Sequence, residues 1–109
     1  MNNGVKIAVN NGKEIIMLLI SDVLFFKADN IYAHVFLKDQ KSFLITESLV
    51  NIETKVSDAA FFRVHRSYLI NTQEIDKVWL HENKLLLKNH GQQIPISRYR
   101  KQDLKKLIL

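Results

Sequence analysis

Residues 62–71 read Phe62-Arg63-Val64-His65-Arg66-Ser67-Tyr68-Leu69-Ile70-Asn71, a stretch that mixes apolar residues with side chains able to bind phosphates or base edges. Arg63 and Arg66 are three residues apart, and a planar guanidinium can meet guanine with two hydrogen bonds or clasp a phosphate. A second cluster of this kind covers residues 96–101, Ile-Ser-Arg-Tyr-Arg-Lys. Two such clusters on one scaffold indicate a nucleic-acid surface. The alternative is that the apolar residues form core and the polar ones merely lie between them.

Around this stretch, short runs with strand character are separated by turns rich in Asn and Asp, which tolerate left-handed backbone. Residues 32–37 alternate, with Ala33, Val35 and Leu37 on one predicted face. We expect a fold that is mainly β with a few short helices, including a single helical turn near residues 71–75. The predicted strands cover residues 6–9, 14–19, 23–27, 32–37, 41–46, 77–81, 84–88 and 93–96.

One helix is predicted just after the fifth of these strands. Leu49, Ile52 and Val56 have the spacing of one helix face, and either Thr46 or Ser48 is available as the N-cap.

A second helix is predicted at the C-terminus, where Ser97 is the expected N-cap and Leu104, Leu107 and Ile108 form the apolar face. Its other face is basic, which favours contact with a polyanion, although a solvated helix face has the same composition. Residues 97–109 hold five basic side chains and one acidic one, so they carry +4 of the net charge of +5: Arg98, Arg100, Lys101, Lys105 and Lys106 against Asp103.

The chain has 109 residues, of which 47% are hydrophobic and 25% charged, as in an average soluble domain. We therefore expect residues 1–109 to form a single domain. No apolar run approaches the ~18 residues of a membrane span, and the polar start at residues 1–4 predicts no signal peptide. The chain has no cysteine, which excludes disulfides and thiolate chemistry and fits a reducing, cytoplasmic setting.

The sequence offers no catalytic or metal-binding pattern. His34, His65, His81 and His90 are too far apart in sequence to place two imidazoles on one helix face. The three glycines are isolated, so no phosphate-binding loop is present. We expect a protein that is not an enzyme and that uses no metal and no cofactor.

Four segments together resemble the LytTR-type DNA-binding domain, the output module of many bacterial response regulators. They are residues 22–32, residues 46–49, residues 62–71 followed by Ile75, and residues 94–98 with the sequence Ile-Pro-Ile-Ser-Arg. The resemblance runs from about residue 7 to residue 107, and the stretch 62–71 is its most specific part.

The resemblance implies an elongated β fold in which loops, rather than a helix-turn-helix, enter successive major grooves on one face of the duplex. The base-contacting positions fall on Arg66, on Arg98 and on the loop before Tyr32. In that loop Asn30 offers polar groups, whereas Ile31 stands where a polar residue is common.

Phosphate contacts are also implied by the resemblance and by side-chain chemistry. Lys27 stands where the family commonly has Glu, so it either adds a phosphate contact or faces solvent. The predicted phosphate contacts are Arg63, His65, Ser67, Ser97, Arg100 and Lys101.

The resulting expectation is sequence-specific binding of double-stranded DNA in bacterial transcription regulation. A second copy on paired or direct-repeat sites and a receiver domain in cis are expected partners, and no membrane is involved. One alternative is a protein-interaction module whose basic face meets an acidic partner. Another is RNA or single-strand binding, in which Tyr32, Phe36 and Tyr99 would stack on bases.

Overall fold

A five-stranded antiparallel sheet forms the centre of the computed structural model, which describes residues 4–109. Residues 1–3 lie outside the described residues. They belong to the polar N-terminal segment in which the sequence predicts no signal peptide. Single 3₁₀ turns cover Ile20–Asp22, Thr72–Glu74 and Leu80–Glu82. The strands are β1 Lys6–Asn10, β2 Ile15–Leu19, β3 Val23–Asp29, β4 Tyr32–Leu37, β5 Ser42–Ile45, β6 Phe61–His65, β7 Tyr68–Asn71, β8 Ile75–Trp79, β9 Lys84–Leu87 and β10 Ile94–Pro95, and the helices are α1 Leu49–Lys55 and α2 Lys101–Ile108.

The central sheet has the strand order β5-β4-β3-β7-β6. A two-stranded sheet pairs β1 with β2, and a three-stranded sheet has the order β10-β9-β8. Each face of the central sheet has its own hydrophobic core. The first core packs residues of the β1–β2 hairpin and of α1 against Val35 and Leu69 of the sheet. The second core packs the β8–β9–β10 sheet and α2 against Val64 and Ile70.

A β-bulge in β3 distributes consecutive residues between the two cores. The register between β3 and β4 shifts between Val23 and Phe25, so Leu24 and Phe25 both belong to the second core. Val23 and Phe26, on either side of this pair, belong to the first core. The extra residue lets one strand supply large side chains to both faces.

The expected fold class is confirmed: the chain is mainly β with two short helices, and its principal extents are 42 × 30 × 25 Å. The strand predicted at residues 32–37 matches β4, and the helical turn near residue 72 is present. Ser48 is the N-cap of α1, since its Oγ accepts the Asn51 N–H at 3.1 Å. Strands β6 and β7 were not among the predicted strands.

The predicted N-cap of the C-terminal helix is wrong. Helix α2 begins at Lys101, and its N-cap Arg100 makes no side-chain capping bond. The Ser97 Oγ instead accepts the Tyr99 N–H at 3.2 Å, within a turn that precedes the helix. Among residues 4–109, no helix has the length and apolar character needed to cross a membrane.

Candidate nucleic-acid interface

The β6–β7 hairpin presents Arg66 at its tip. Only Arg66 and Ser67 separate the two strands, and the register shifts between Arg63 and His65 just before the turn. The Arg66 side chain is exposed. Strand β7 behind it is buried along its whole length, so the turn projects from a rigid support.

The Arg63 side chain is hydrogen-bonded to the backbone of this turn. Its Nε donates to the carbonyl oxygens of His65 and Arg66 at 3.1 and 3.2 Å, and its Nη2 also donates to the Arg66 carbonyl. Its Nη1 donates to Oε1 of Glu53 in α1 at 2.8 Å. The Arg63 side chain is only 14% exposed, so most of its donor capacity is directed into the chain.

His65 supports the same turn in its neutral form. Its Nδ1 accepts the Ser67 N–H at 3.1 Å, which requires an unprotonated Nδ1 and leaves the proton on Nε2. Burial lowers the pKa of His65 below its ordinary value, and the nearby positive charges of Arg66 and Arg63 lower that pKa further. The Tyr68 ring packs edge-on against the imidazole, with 5.7 Å between ring centroids.

The turn that carries Arg98 is fastened beside β6. The Ser97 N–H donates to the Val64 carbonyl at 2.9 Å, and the Arg100 N–H donates to the Ser97 carbonyl at 3.0 Å. Arg98 is exposed, and it lines one shallow groove together with Arg66. The two basic clusters of the sequence meet here because β6 lies next to this turn.

The β3–β4 turn, with Asn30 and Ile31, lies at the same end of the central sheet. Strand β3 pairs with β7 so that Lys27 is opposite Tyr68, and the Ala28 N–H donates to the Ser67 carbonyl at 2.9 Å. Asn30 is exposed and has a left-handed backbone, with φ of 56°. The turns that carry Asn30, Arg66 and Arg98 therefore follow one another along one end of the molecule.

Three further basic residues considered as phosphate contacts are all half-buried. Arg100 is half-buried, with its guanidinium 5.8 Å from the centre of the Phe62 ring. Lys101, the first residue of α2, is also half-buried. Lys27 is half-buried as well, and its Nζ lies 5.7 Å from the centre of the Tyr68 ring.

Two arginines at this end, Arg66 and Arg98, have no acidic partner among the described residues. Within residues 4–109, neither Arg66 nor Arg98 takes part in an ion pair, and the carboxylate of Asp29 lies 3.3 Å from Nδ1 of His34. The His, Asp and Glu side chains of the same residues form no group of three that could hold a metal ion. This surface is suited to binding an anion through exposed guanidinium groups.

The aromatic side chains expected for single-strand binding differ in their exposure. Phe36 is stacked on Phe25, with ring centroids 4.4 Å apart, so one of its faces is covered. Tyr99 is 95% exposed beside Arg98, and Tyr32 is 38% exposed. Phe36 therefore has one face fewer for stacking on bases than an exposed aromatic ring such as that of Tyr99.

Two residues of this region were not predicted as site residues. Asn83 lines the groove of Arg66 and Arg98, and its carbonyl accepts the Ile96 N–H at 2.8 Å. The sequence identifies Asn83 only as a turn residue, and its φ of 53° agrees with that. Glu53, the partner of Arg63, gives no sequence signal because it lies ten residues away on a helix.

The chain is similar to a family of DNA-binding domains and to two curated regulatory proteins. A family model described as the LytTr DNA-binding domain matches residues 13–109. The sensory transduction protein LytT of Bacillus subtilis (strain 168) is 32% identical over 105 residues, which are 94% of this chain and 43% of that protein. The heme-containing CO-sensing transcriptional regulator RcoM 1 of Paraburkholderia xenovorans (strain LB400) is 30% identical over 106 residues, which are 94% of this chain and 39% of that protein.

A solved structure has the same fold. It is the LytTr DNA-binding domain of a putative methyl-accepting/DNA response regulator from Bacillus cereus, with a TM-score of 0.77 and 22% identity, and the match covers 94% of this chain and 95% of that one. The chain spans about two fifths of the length of the two curated relatives above.

Proposed function

Because this chain belongs to the LytTR family of DNA-binding domains, we propose that it binds double-stranded DNA sequence-specifically through three turns at one end of its central sheet. DNA binding in transcription regulation, without catalysis, is the role of the family. The finer proposal concerns which residues touch the bases and in which groove.

One observation carries this proposal: Arg66 and Arg98 are both exposed and line the same groove, although they are 32 residues apart in sequence. Each guanidinium can donate two hydrogen bonds to O6 and N7 of a guanine in the major groove. Asn30, on the neighbouring turn, can pair with an adenine in the major groove. Entry of these turns into successive major grooves is the finer part of the proposal, and it rests on the resemblance to the family.

Phosphate contacts would surround these base contacts. His65 carries a proton on Nε2 while its Nδ1 accepts the Ser67 N–H, so the imidazole can donate to a phosphate oxygen without being charged. Ser67, Ser97, Arg100 and Lys101 stay proposed phosphate contacts. Such contacts set the register of the protein on the duplex but carry no sequence information.

We further propose that residues 1–109 act as one domain of a cytoplasmic bacterial regulator. A receiver or another sensory domain in cis would control the domain, and a second copy would occupy a paired or direct-repeat site. The relatives named above support this proposal, since one is a sensory transduction protein and the other is a transcriptional regulator.

In vitro selection from randomised duplex DNA tests the proposal. The wild type should enrich a defined motif, and the Arg66→Ala, Arg98→Ala double variant should not. The control is the Lys41→Ala, Lys88→Ala double variant, which loses the same charge at the opposite end of the sheet. The two lysines lie near each other there, since the side chain of Gln40, next to Lys41, donates to the carbonyl of Asn89, next to Lys88. No enrichment by the wild type would refute specific binding and favour a module that meets an acidic protein.

A further inference from the structure

The Arg63 guanidinium bridges helix α1 and the turn that presents Arg66. We propose that Arg63, anchored by Glu53, is a positioning residue that fixes the direction of the Arg66 side chain, in place of the phosphate contact expected from the sequence. This inference rests on the proposed function, in which Arg66 contacts a base.

Three guanidinium nitrogens of Arg63 donate within the chain, to the Glu53 carboxylate and to the carbonyl oxygens of His65 and Arg66. A phosphate ligand would compete with Glu53, which already neutralises the Arg63 charge. Arg66 differs from Arg63 because its side chain is exposed and forms no ion pair among residues 4–109. The two arginines therefore have different roles, although they are three residues apart.

The planar shape of the arginine side chain matters for this role. One edge of the guanidinium meets the Arg66 carbonyl through Nε and Nη2, while Nη1 meets Glu53. A lysine has a single ammonium on a flexible stem and cannot occupy both positions. Fixing the turn before DNA arrives reduces the conformational entropy that is lost on binding.

Glu53 connects this turn to the first core. Helix α1 buries Leu49 and Ile52 in that core, so the carboxylate is held by a packed element. The Ser67 carbonyl is bound to the Ala28 N–H, which holds the other side of the turn. Loss of the Glu53 carboxylate would release one of these two anchors without removing any side chain from the core.

The test compares Glu53→Gln and Arg63→Lys with the wild type on the selected DNA site and on random duplex. The control Glu74→Gln removes the carboxylate of the Lys38 ion pair, at the opposite end of the sheet, and changes the net charge as Glu53→Gln does. We expect both variants to lose about tenfold in the ratio of specific to random affinity, within the range for one weakened base contact. The control should keep the wild-type ratio.

A phosphate contact would give a different result. Glu53→Gln would then free Arg63 and strengthen binding to both DNAs, and Arg63→Lys would keep the ratio, so either finding overturns the proposal. A second readout is amide hydrogen exchange in the free protein: the Ser67 amide should exchange faster in both variants, while core amides such as that of Phe26 stay protected. Unchanged Ser67 exchange would also overturn it. A wild type without sequence preference would instead refute the proposed function.

Discussion

Replacing Leu104 with alanine should destabilise the whole domain, because Leu104 is the one residue of α2 that is fully buried. The change removes about three carbons, worth about 0.8 kcal/mol each when buried, and the cavity left behind adds to this loss. We expect the free energy of unfolding to fall by about 3 kcal/mol, within the ~2–5 kcal/mol range for buried leucines.

Urea unfolding followed by circular dichroism measures this change, and Leu107→Ala on the same helix is the control. Leu107 is 58% exposed, so its replacement should change the free energy by less than about 0.5 kcal/mol. A loss below about 1 kcal/mol for Leu104→Ala would refute the conclusion that α2 closes the second core. Equal effects of the two substitutions would refute it as well.

Phe62→Ala should lower the free energy of unfolding by about 2 kcal/mol, less than the ~3–5 kcal/mol of a fully buried phenylalanine, because Phe62 is only partly buried. Urea unfolding measures this change, and a loss of about 4 kcal/mol or more, as for full burial, would contradict the prediction. Lys101→Ala should weaken specific and random duplex alike and flatten the salt dependence by about one unit, and an unchanged slope in a salt titration would place Lys101 away from DNA. Stability should decrease as the pH falls below about 6.5, because burial lowers the folded-state pKa of His65 and His90 and the unfolded chain takes up protons first. Urea unfolding across that range measures the decrease, and stability that rises on acidification would contradict it.

The sequence predicts strands well where one face is buried and the other is not. Strand β4 alternates between buried and more exposed residues, and its predicted bounds match. Strand β7 gives no such signal because all four of its residues are buried, with the central sheet packed on both faces. A strand buried on both sides lacks alternation, so periodicity alone does not identify it.

The sequence predicts the residue clusters of the candidate site but not the contacts that hold them in place. The residue types of the two basic clusters predict one nucleic-acid surface, and the structure brings Arg66 and Arg98 to one groove. The choice of these two arginines as base contacts comes from the resemblance to the family. The environment of Arg63 depends on Glu53, which a helix places beside β6. Ser97 likewise caps a local turn because its N–H is fixed to the Val64 carbonyl. Both depend on tertiary contacts that the local sequence does not show.

Base reading by Arg66 and Arg98 is tested most directly by replacing guanines of the selected site, one at a time, with 7-deazaguanine. This change removes only the N7 acceptor, which lies in the major groove. We predict that one such replacement weakens the wild type but not Arg98→Ala, and that another weakens the wild type but not Arg66→Ala. If every replacement left wild-type binding unchanged, or weakened wild type and variants equally, the major-groove contacts of these two arginines would be contradicted.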